Sequence, residues 1–257
     1  PEAYYPTPYY RNYRTLVHMK KELGKTQSQS YMLYTEYKRP VKEFFWTFML
    51  NHFNIRQDHL MHTEYQDNQF KLTSLEHPHR TENYQARSLI SKGFYSWNLK
   101  ASLEAVYQYG KGLQAGQGIV QPYENHWLSL KPKLNWNPTH WLTASYQAEI
   151  GCSRTIALPT LWEVQQKLSL SIGNDTWNLN LNGEHYRNEL SPNEYKETWL
   201  ADIGLQYNTG KWRWTAGLTN LFNQKEYRQT TYSDVRSYTS WMKMRPREVM
   251  VSVQYQW

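Results

Sequence analysis

Hydrophobic and polar residues alternate along most of this chain with a period of two. In the segment from Trp199 to Tyr207, the odd positions are Trp, Ala, Ile, Leu and Tyr, and the even positions include Asp, Gly and Gln. This period is typical of a β-strand that has one apolar face and one polar face. The same alternation starts again near Trp97, Leu128, Leu142, Val164, Trp177, Lys211 and Val249. The pattern therefore predicts an all-β chain.

The segments between the predicted strands are of two kinds, which alternate along the chain. Short turns are predicted at Lys38–Val41, Ser91–Phe94, Asn137–His140, Gly173–Asp175 and Asn208–Gly210. Long polar loops are predicted at about 55–81, 110–124, 151–161, 188–196 and 223–246. Short turns at one end and long loops at the other are typical of a transmembrane antiparallel β-barrel. We expect about eleven strands from residue 30 onward, and one more that includes residues 14–19.

Aromatic residues lie near both ends of the predicted strands. One group lies close to a short turn or the C-terminus (Trp136, Trp141, Trp177, Tyr207, Trp212, Trp257), and another lies toward the long loops (Tyr107, Trp127, Trp162, Trp199, Phe222). Trp and Tyr are favoured at both boundaries of a membrane. The strand from Trp199 to Tyr207 would span about 20 Å, close to the height of an outer-membrane apolar band. The alternative is a soluble β-sandwich, in which Asn178, Asn180 and Asn182 would lie on an open face.

Composition excludes several other classes. The apolar run at residues 44–50 is too short for a membrane-spanning helix, which needs about 20 residues. The one cysteine excludes an intrachain disulfide and a thiolate zinc site. There are 29 Lys and Arg against 22 Asp and Glu, a net charge of +7, which favours an anionic partner. Because these charges are scattered, we expect phosphates of outer-membrane lipid and lipopolysaccharide rather than nucleic acid.

Three sets of residues are candidates for binding. Polar positions of the predicted strands would line an aqueous interior: Lys100, Glu104, Lys131, Lys133, Lys167, Glu184, Asp202 and Arg213. Aromatic residues of the predicted loops could stack on a sugar or another planar ligand: Tyr123, Tyr195, Tyr232, Tyr238 and Trp241. His77 and His79 are weak metal-site candidates within a histidine-rich segment that also contains His52, His59 and His62. We favour solvated loop histidines, and we expect no metal, no cofactor and no catalytic residue.

The C-terminal segment resembles that of TonB-dependent outer-membrane receptors. The resemblance rests on Leu218-Thr219-Asn220-Leu221-Phe222-Asn223-Gln224-Lys225-Glu226-Tyr227, followed by a long loop, Arg245-Pro246-Arg247 and a last strand that ends in Trp257. In that family, an Asn-Leu-Phe-Asn block closes the penultimate strand and Pro-Arg opens the last one. The high Tyr and Trp content is similar to receptors of the Bacteroidota.

The resemblance implies a Gram-negative outer-membrane location and a barrel of about 22 strands around a plug. Residues 1–257 are then expected to be the C-terminal part of the barrel, with the plug and the N-terminal strands outside this chain. It implies active uptake of a scarce solute (a siderophore, haem, cobalamin, a glycan or a peptide), with the TonB system acting through the plug. A surface lipoprotein is a further expected partner.

Two alternatives to transport remain open. The first is a receptor-like barrel subunit with a structural or assembly role in a larger outer-membrane complex. The second is a barrel enzyme or an autotransporter translocator, for which roughly twelve strands are suitable. The Asn-Leu-Phe-Asn block counts against the second of these alternatives.

Overall fold

The fold is described from a computed structural model of the chain. It covers residues 7–18, 24–66, 68–116, 118–156, 159–191, 193–233 and 236–256, with the backbone alone for Gln66 and for residues 228–233 and 236–239. Trp257, predicted to belong to the first aromatic group, lies outside the described residues. No helix in the described part of the chain is long and apolar enough to cross a membrane.

Nearly all regular structure is β-strand. The strands are β1 (Tyr9–Asn12), β2 (Thr15–His18), β3 (Thr26–Arg39), β4 (Phe44–Gln66), β5 (Gln69–Phe94), β6 (Leu99–Gly116), β7 (Ile119–Thr139), β8 (Leu142–Thr155), β9 (Leu161–Gly173), β10 (Trp177–Ser191), β11 (Glu194–Thr209), β12 (Trp212–Thr219), β13 (Glu226–Ser233), β14 (Arg236–Lys243) and β15 (Glu248–Tyr255). Two 3₁₀ turns, Pro40–Lys42 and Tyr95–Trp97, connect β3 to β4 and β5 to β6. The all-β prediction is confirmed.

Eleven strands form one continuous antiparallel sheet. Each of β3 to β11 pairs with the next strand in sequence, and β12 pairs with β15. The β13–β14 hairpin is a separate two-stranded sheet, and β2 joins β5 in parallel at Phe70–Thr73. The prediction of about eleven strands is confirmed, and the predicted strand near residues 14–19 is β2. This is a wall of the transmembrane β-barrel class, although β3 and β15 are not paired and the sheet is open.

Short turns connect the strands at one end of the sheet, here called the turn end; the opposite end is the loop end. Observed turns lie within about two residues of the predicted ones, except that the turn predicted at Ser91–Phe94 is wrong. Those residues continue β5, and the chain reverses at Tyr95–Asn98. The left-handed conformation at this reversal is adopted by Asn98, at φ 47°.

The predictions of long polar loops are wrong in most cases, because strands continue through these segments. Segment 55–81 belongs to β4 and β5, which pair almost to their tips at Gln66 and Gln69. Segments 110–124 and 188–196 are likewise mostly paired strand, and only residues 156–160 separate β8 from β9. Polar side chains on both faces suggested loops, yet they equally suit strands surrounded by water on both sides. Segment 223–246 contains the β13–β14 hairpin.

Strand register assigns each side chain to one of two faces. Leu179, Leu181 and Ile203 share one face with Trp214, and the intervening Asn180 and Asn182 lie on the other. We call these the apolar face and the polar face. Cys152 lies on the apolar face, paired with Leu128 and opposite Trp162.

The soluble β-sandwich alternative is wrong, since no second sheet covers the apolar face in the described part of the chain. Val251 is 69% exposed and Val253 is 46% exposed, while Leu179 and Leu181 are half-buried. The buried apolar residues of the described chain are few and scattered: Val17, Leu60, Val106, Ala115 and Ala148. An apolar surface of this extent on a single sheet indicates a partner medium that is itself apolar.

Candidate functional site on the polar face

A row of alternating charges crosses the polar face. It consists of Arg87 on β5, Glu104 on β6, Lys131 on β7, Glu149 on β8, Lys167 on β9 and Glu184 on β10. We call this row the charge belt. Three contacts within it are short: Arg87 Nε to Glu104 Oε1 at 2.8 Å, Lys131 Nζ to Glu149 Oε1 at 2.8 Å and Lys167 Nζ to Glu184 Oε1 at 3.0 Å. Glu104 and Lys131 also lie directly opposite each other in the register.

The charge belt borders a shallow hollow of about 270 Å³. Its lining includes Glu104, Lys131, Glu149 and Lys167 of the belt, together with Lys133. Opposite charges on neighbouring strands stabilise a sheet by fractions of a kcal/mol per pair and fix its register. Because most belt charges are paired with each other, the belt is close to neutral, and Lys133 gives the hollow an excess of positive charge.

The eight predicted interior-lining residues all lie on the polar face by register. Lys100 and Lys133 lie toward the turn end, where Lys100 pairs with Gly93 and Asn135. Arg213 donates from Nε to Asn208 Oδ1 at 3.3 Å. Asp202 accepts a hydrogen bond at 2.8 Å from the backbone N–H of Asn220. The register therefore places all eight residues on one face of the sheet. That this face lines a path for a solute stays a prediction.

The β13–β14 hairpin contacts the polar face at β10. Tyr186, on the polar face, packs edge-to-face against Tyr227 of β13, with ring centroids 5.4 Å apart. The hydroxyl of Tyr186 donates to Glu184, the last residue of the charge belt. The hairpin is therefore positioned beside one end of the belt.

The residues of the Asn-Leu-Phe-Asn block hold the base of this hairpin. Asn220 and Asn223 both have φ 52°, the left-handed region that Asn tolerates better than most residues. The buried side chain of Asn220 donates to the carbonyls of Gln224 and Arg245, each at 2.8 Å, and accepts from the Gln224 N–H at 2.8 Å. Asn223 Oδ1 accepts from the Arg247 N–H at 3.1 Å. Both asparagines thus tie the end of β12 to the chain that enters β15.

The predicted loop aromatics whose side chains the structure describes, Tyr123, Tyr195 and Trp241, lie on different parts of the sheet and hairpin. Tyr123 lies on the polar face of β7, paired with Gly112, and Tyr195 lies on the apolar-face side of β11. The Arg187 guanidinium stacks over the Tyr195 ring at 4.0 Å. Trp241 is 62% exposed on β14. Tyr232 and Tyr238 belong to β13 and β14, but their side chains lie outside the described residues.

The histidines of segment 52–79 have separate surroundings. His52 stacks between two tyrosine rings, and His62 Nε2 accepts from the Gly118 N–H at 3.0 Å. His79 Nδ1 lies 3.0 Å from the carbonyl oxygen of His77. Within the described ranges, no group of three or more His, Cys, Asp or Glu side chains is placed to hold a metal ion. The metal candidates His77 and His79 therefore lack a third ligand there.

A row of rings that sequence reasoning missed crosses the apolar-face side of β3 to β7. Its members are Tyr31, His52, Tyr84, Tyr109 and His126, and we call it the ring ladder. Successive ring centroids lie 6.0, 4.3, 5.9 and 4.8 Å apart. The rings lie just beyond the apolar part of each strand, toward the loop end. In the sequence, each ring occupies one of the alternate positions that also carry the apolar residues of its strand, which predicts the same face. Only the strand register shows that the five rings lie side by side.

A hydrogen-bonded polar row lies directly beyond the ring ladder. Asn54 accepts from Arg80 Nε at 2.8 Å, and Glu82 contacts Arg80 at 2.8 Å and Lys111 at 3.2 Å. Burial opposes ionisation of Glu82, but the hydrogen bond from Lys111 and the charges of Arg80 and Lys111 outweigh it and lower the pKa of Glu82. In the ladder itself, a hydrogen bond to Glu124 raises the pKa of Tyr109 to about 12.

Comparison with known proteins identifies similar architectures only. No protein-family model matches the sequence, and no curated protein matches it. Among solved structures, the chain is similar to the siderophore receptor PirA from Acinetobacter baumannii, with a TM-score of 0.47 and 9% identity over 91% of this chain and 42% of that chain. It is also similar to the translocator domain of autotransporter NalP from Neisseria meningitidis, with a TM-score of 0.30 and 12% identity over 91% of this chain and 81% of that chain. The chain thus spans less than half of the receptor.

Proposed function

We propose that this chain is the C-terminal part of the barrel wall of a TonB-dependent outer-membrane receptor that actively imports a scarce solute. The apolar face would contact lipid, and the polar face would contact the plug and the solute path. The turn end would lie in the periplasm and the loop end outside the cell, as is usual for bacterial outer-membrane barrels. The solute class includes siderophores, haem, cobalamin, glycans and peptides.

The observation that carries this proposal is the arrangement around Asn220 and Asn223. A short block with two asparagines in the left-handed conformation closes β12, anchors a hairpin and aligns Arg245–Arg247 with the start of β15. In the receptor family that the sequence resembles, the corresponding block occupies the same place in the strand order. The block therefore has a specific structural task here and supports the receptor over other barrels.

The direction of the edge strands supports an incomplete barrel. With eleven strands that reverse at every step, β3 and β15 run in the same direction, both toward the turn end. Pairing them directly would create a parallel contact, whereas bacterial outer-membrane barrels are antiparallel with an even number of strands. Antiparallel closure requires an odd number of further strands, and eleven more would give the 22 strands that the resemblance implies.

Mechanistically, no bond is made or broken in the proposed function. Extracellular parts of the wall and the β13–β14 hairpin would first contact the solute. A plug from outside this chain would rest on the polar face, where the charge belt and Lys133 offer ion pairs and hydrogen bonds. Movement of the plug, driven from the inner membrane through the TonB system, would open a path along this face. A surface lipoprotein would assist on the outer side, and the Bacteroidota assignment stays an expectation of the Tyr and Trp content.

The number of strands is also compatible with the translocator or barrel-enzyme alternative. A single further strand would give a twelve-strand barrel, the size expected for the translocator or barrel-enzyme alternative. Partial proteolysis and strand mapping of the full protein distinguish the two. A barrel of twelve strands would contradict the receptor proposal.

Transport itself is tested in cells. The gene encoding the full protein is deleted, and uptake of the candidate solutes is measured with and without a protonophore. We expect one solute to lose its energy-dependent uptake, and expression of the wild-type protein to restore it. An outer-membrane protein whose deletion changes no solute uptake, but disrupts a larger outer-membrane complex, would instead support the assembly alternative.

A further inference from the structure

Cationic side chains concentrate on the apolar-face side of the sheet, immediately beyond the ring ladder. Arg56 on β4 and Arg80 on β5 lie directly opposite each other in the register, and Lys111 on β6 lies one pair away, opposite Glu82. We call Arg56, Arg80 and Lys111 the cation row. All three side chains are exposed, and they lie on the face that would meet lipid rather than on the polar face.

Cations outnumber carboxylates by one in this region, where Lys25, Arg56, Arg80 and Lys111 lie near Asp58, Glu82 and Glu124. Glu82 contacts both Arg80 and Lys111, so one carboxylate serves two cations. Arg56 has no ion-pair partner in the part of the chain that the structure describes. Like charges directly opposite each other in a sheet are destabilising. The Arg56 and Arg80 guanidinium groups therefore repel each other, and a bound anion would reduce this repulsion.

The cation row borders a depression that can hold an anionic group. The depression has a volume of about 490 Å³ and is lined by Arg56 and Arg80 of the cation row, by Lys25 and by the carboxylate of Asp58. Both Asn54 and Glu82 contact Nε of the Arg80 guanidinium, and Arg80 is one of the residues that line the depression. Arginine presents a fork of N–H donors that matches the oxygens of a phosphate group.

We propose that the cation row binds the phosphate groups of a phosphorylated glycolipid in the outer leaflet. This inference rests on the proposed outer-membrane location, which places the ring ladder at the extracellular boundary of the apolar layer. Aromatic rings lie at the headgroup level of a membrane, so the next charged row outward lies at the level of lipid phosphates. The positive charge of the cation row, its position along the membrane normal and its place on the apolar-face side all favour a lipid headgroup as the ligand.

The experiment uses the full protein purified in detergent, with lipid A carrying both phosphates as the probe. Binding is measured by native mass spectrometry and compared with dephosphorylated lipid A and with inorganic phosphate. The variants are Arg56→Gln, which disturbs no described contact, and the double change Arg56→Gln/Arg80→Gln. The matched control is Lys131→Gln/Lys133→Gln, which removes the same charge from the polar face.

We expect the double variant to lose about tenfold in affinity for phosphorylated lipid A and the single variant about threefold, as for charge-assisted contacts to phosphate. The control should stay within about twofold. Equal affinities for phosphorylated and dephosphorylated lipid A, or full competition by millimolar inorganic phosphate, would overturn the inference. Failure of the protein to enter bilayers would defeat the proposed function instead, so the two failures are distinguishable.

Discussion

The two faces of the eleven-strand sheet are built from the same strands but differ in what stabilises them. On the apolar face, large side chains such as Trp214 and Val253 lie opposite each other and remain exposed. On the polar face, Lys131 and Glu149 satisfy each other across neighbouring strands. One face therefore depends on the medium around it, whereas the other is largely self-sufficient. This difference indicates that environment, more than internal packing, determines the stability of the wall.

The largest expected effect comes from placing one charge on either face of β10. Leu181→Arg should destabilise the protein in bilayers by about 2–4 kcal/mol, because arginine near the bilayer midplane is costly on the lipid side. Asn180→Arg, one residue away on the polar face, is the matched control and should cost far less. Urea unfolding in lipid vesicles measures both. Equal losses would contradict the assignment of the faces.

A second effect concerns the buried Asn220 at the end of β12. Asn220→Ala removes three side-chain hydrogen bonds, each at 2.8 Å, and leaves two carbonyls and one N–H without this partner. We expect a loss of about 2–3 kcal/mol at roughly 1 kcal/mol per bond and faster proteolysis of the β13–β14 hairpin.

Asn220→Gly provides the control for backbone conformation, since glycine accepts the φ of 52° without strain. If Asn220→Gly were as stable as the wild type, conformation rather than hydrogen bonding would explain the role of the residue.

A smaller effect is expected from the charge belt. Lys131→Glu should cost about 1 kcal/mol or less, because the Lys131–Glu149 pair is partly exposed and solvent screens it. The swapped pair Lys131→Glu/Glu149→Lys should recover only part of that loss, because a carboxylate at position 131 would still lie opposite Glu104. Thermal unfolding of the two single variants and the double variant gives the coupling energy. Additive losses would show that the pair does not interact across the polar face.

The smallest effect is the alkaline titration of Tyr109 in the ring ladder. Its pKa is raised to about 12 from an ordinary value near 10, so folding favours the protonated phenol. The resulting stabilisation is complete below about pH 10 and is lost as the pH rises through about 12. Difference absorbance near 295 nm between the wild type and Tyr109→Phe measures this group. Glu124→Gln should move the midpoint back toward 10, and an unchanged midpoint would mean that the Glu124 contact does not form.

Period-two alternation was enough to predict the faces. Leu179 and Leu181 were separated from Asn178 and Asn180 by parity alone, and the register keeps that separation across β9 to β11. Alternation could not predict how far strands continue beyond the apolar band. Where both faces are polar, as at residues 56–59 of β4, a paired strand and a loop have the same composition.

Contacts between distant strands were also beyond the sequence. His52 and Tyr84 are 32 positions apart, and only the pairing of β4 with β5 stacks them at 4.3 Å. Trp127 shows the opposite error. It was expected at a membrane boundary, but its pairing with Gln108 and Ser153 places it on the polar face. A shift of one residue along a strand moves a side chain to the opposite face. Strand ends inferred from composition are wrong by more than one residue, so they cannot assign a side chain such as Trp127 to a face.

The shared direction of the two sheet edges also restricts which partner could complete the wall. A second copy of this chain, inserted with the same orientation, would bring two further edges of identical polarity. At every junction between the copies, β15 of one copy would then pair with β3 of the next in parallel. In the proposed barrel, neither self-association nor an exact duplication of the segment would close the wall with antiparallel strands, so the complement would be a different segment of polypeptide.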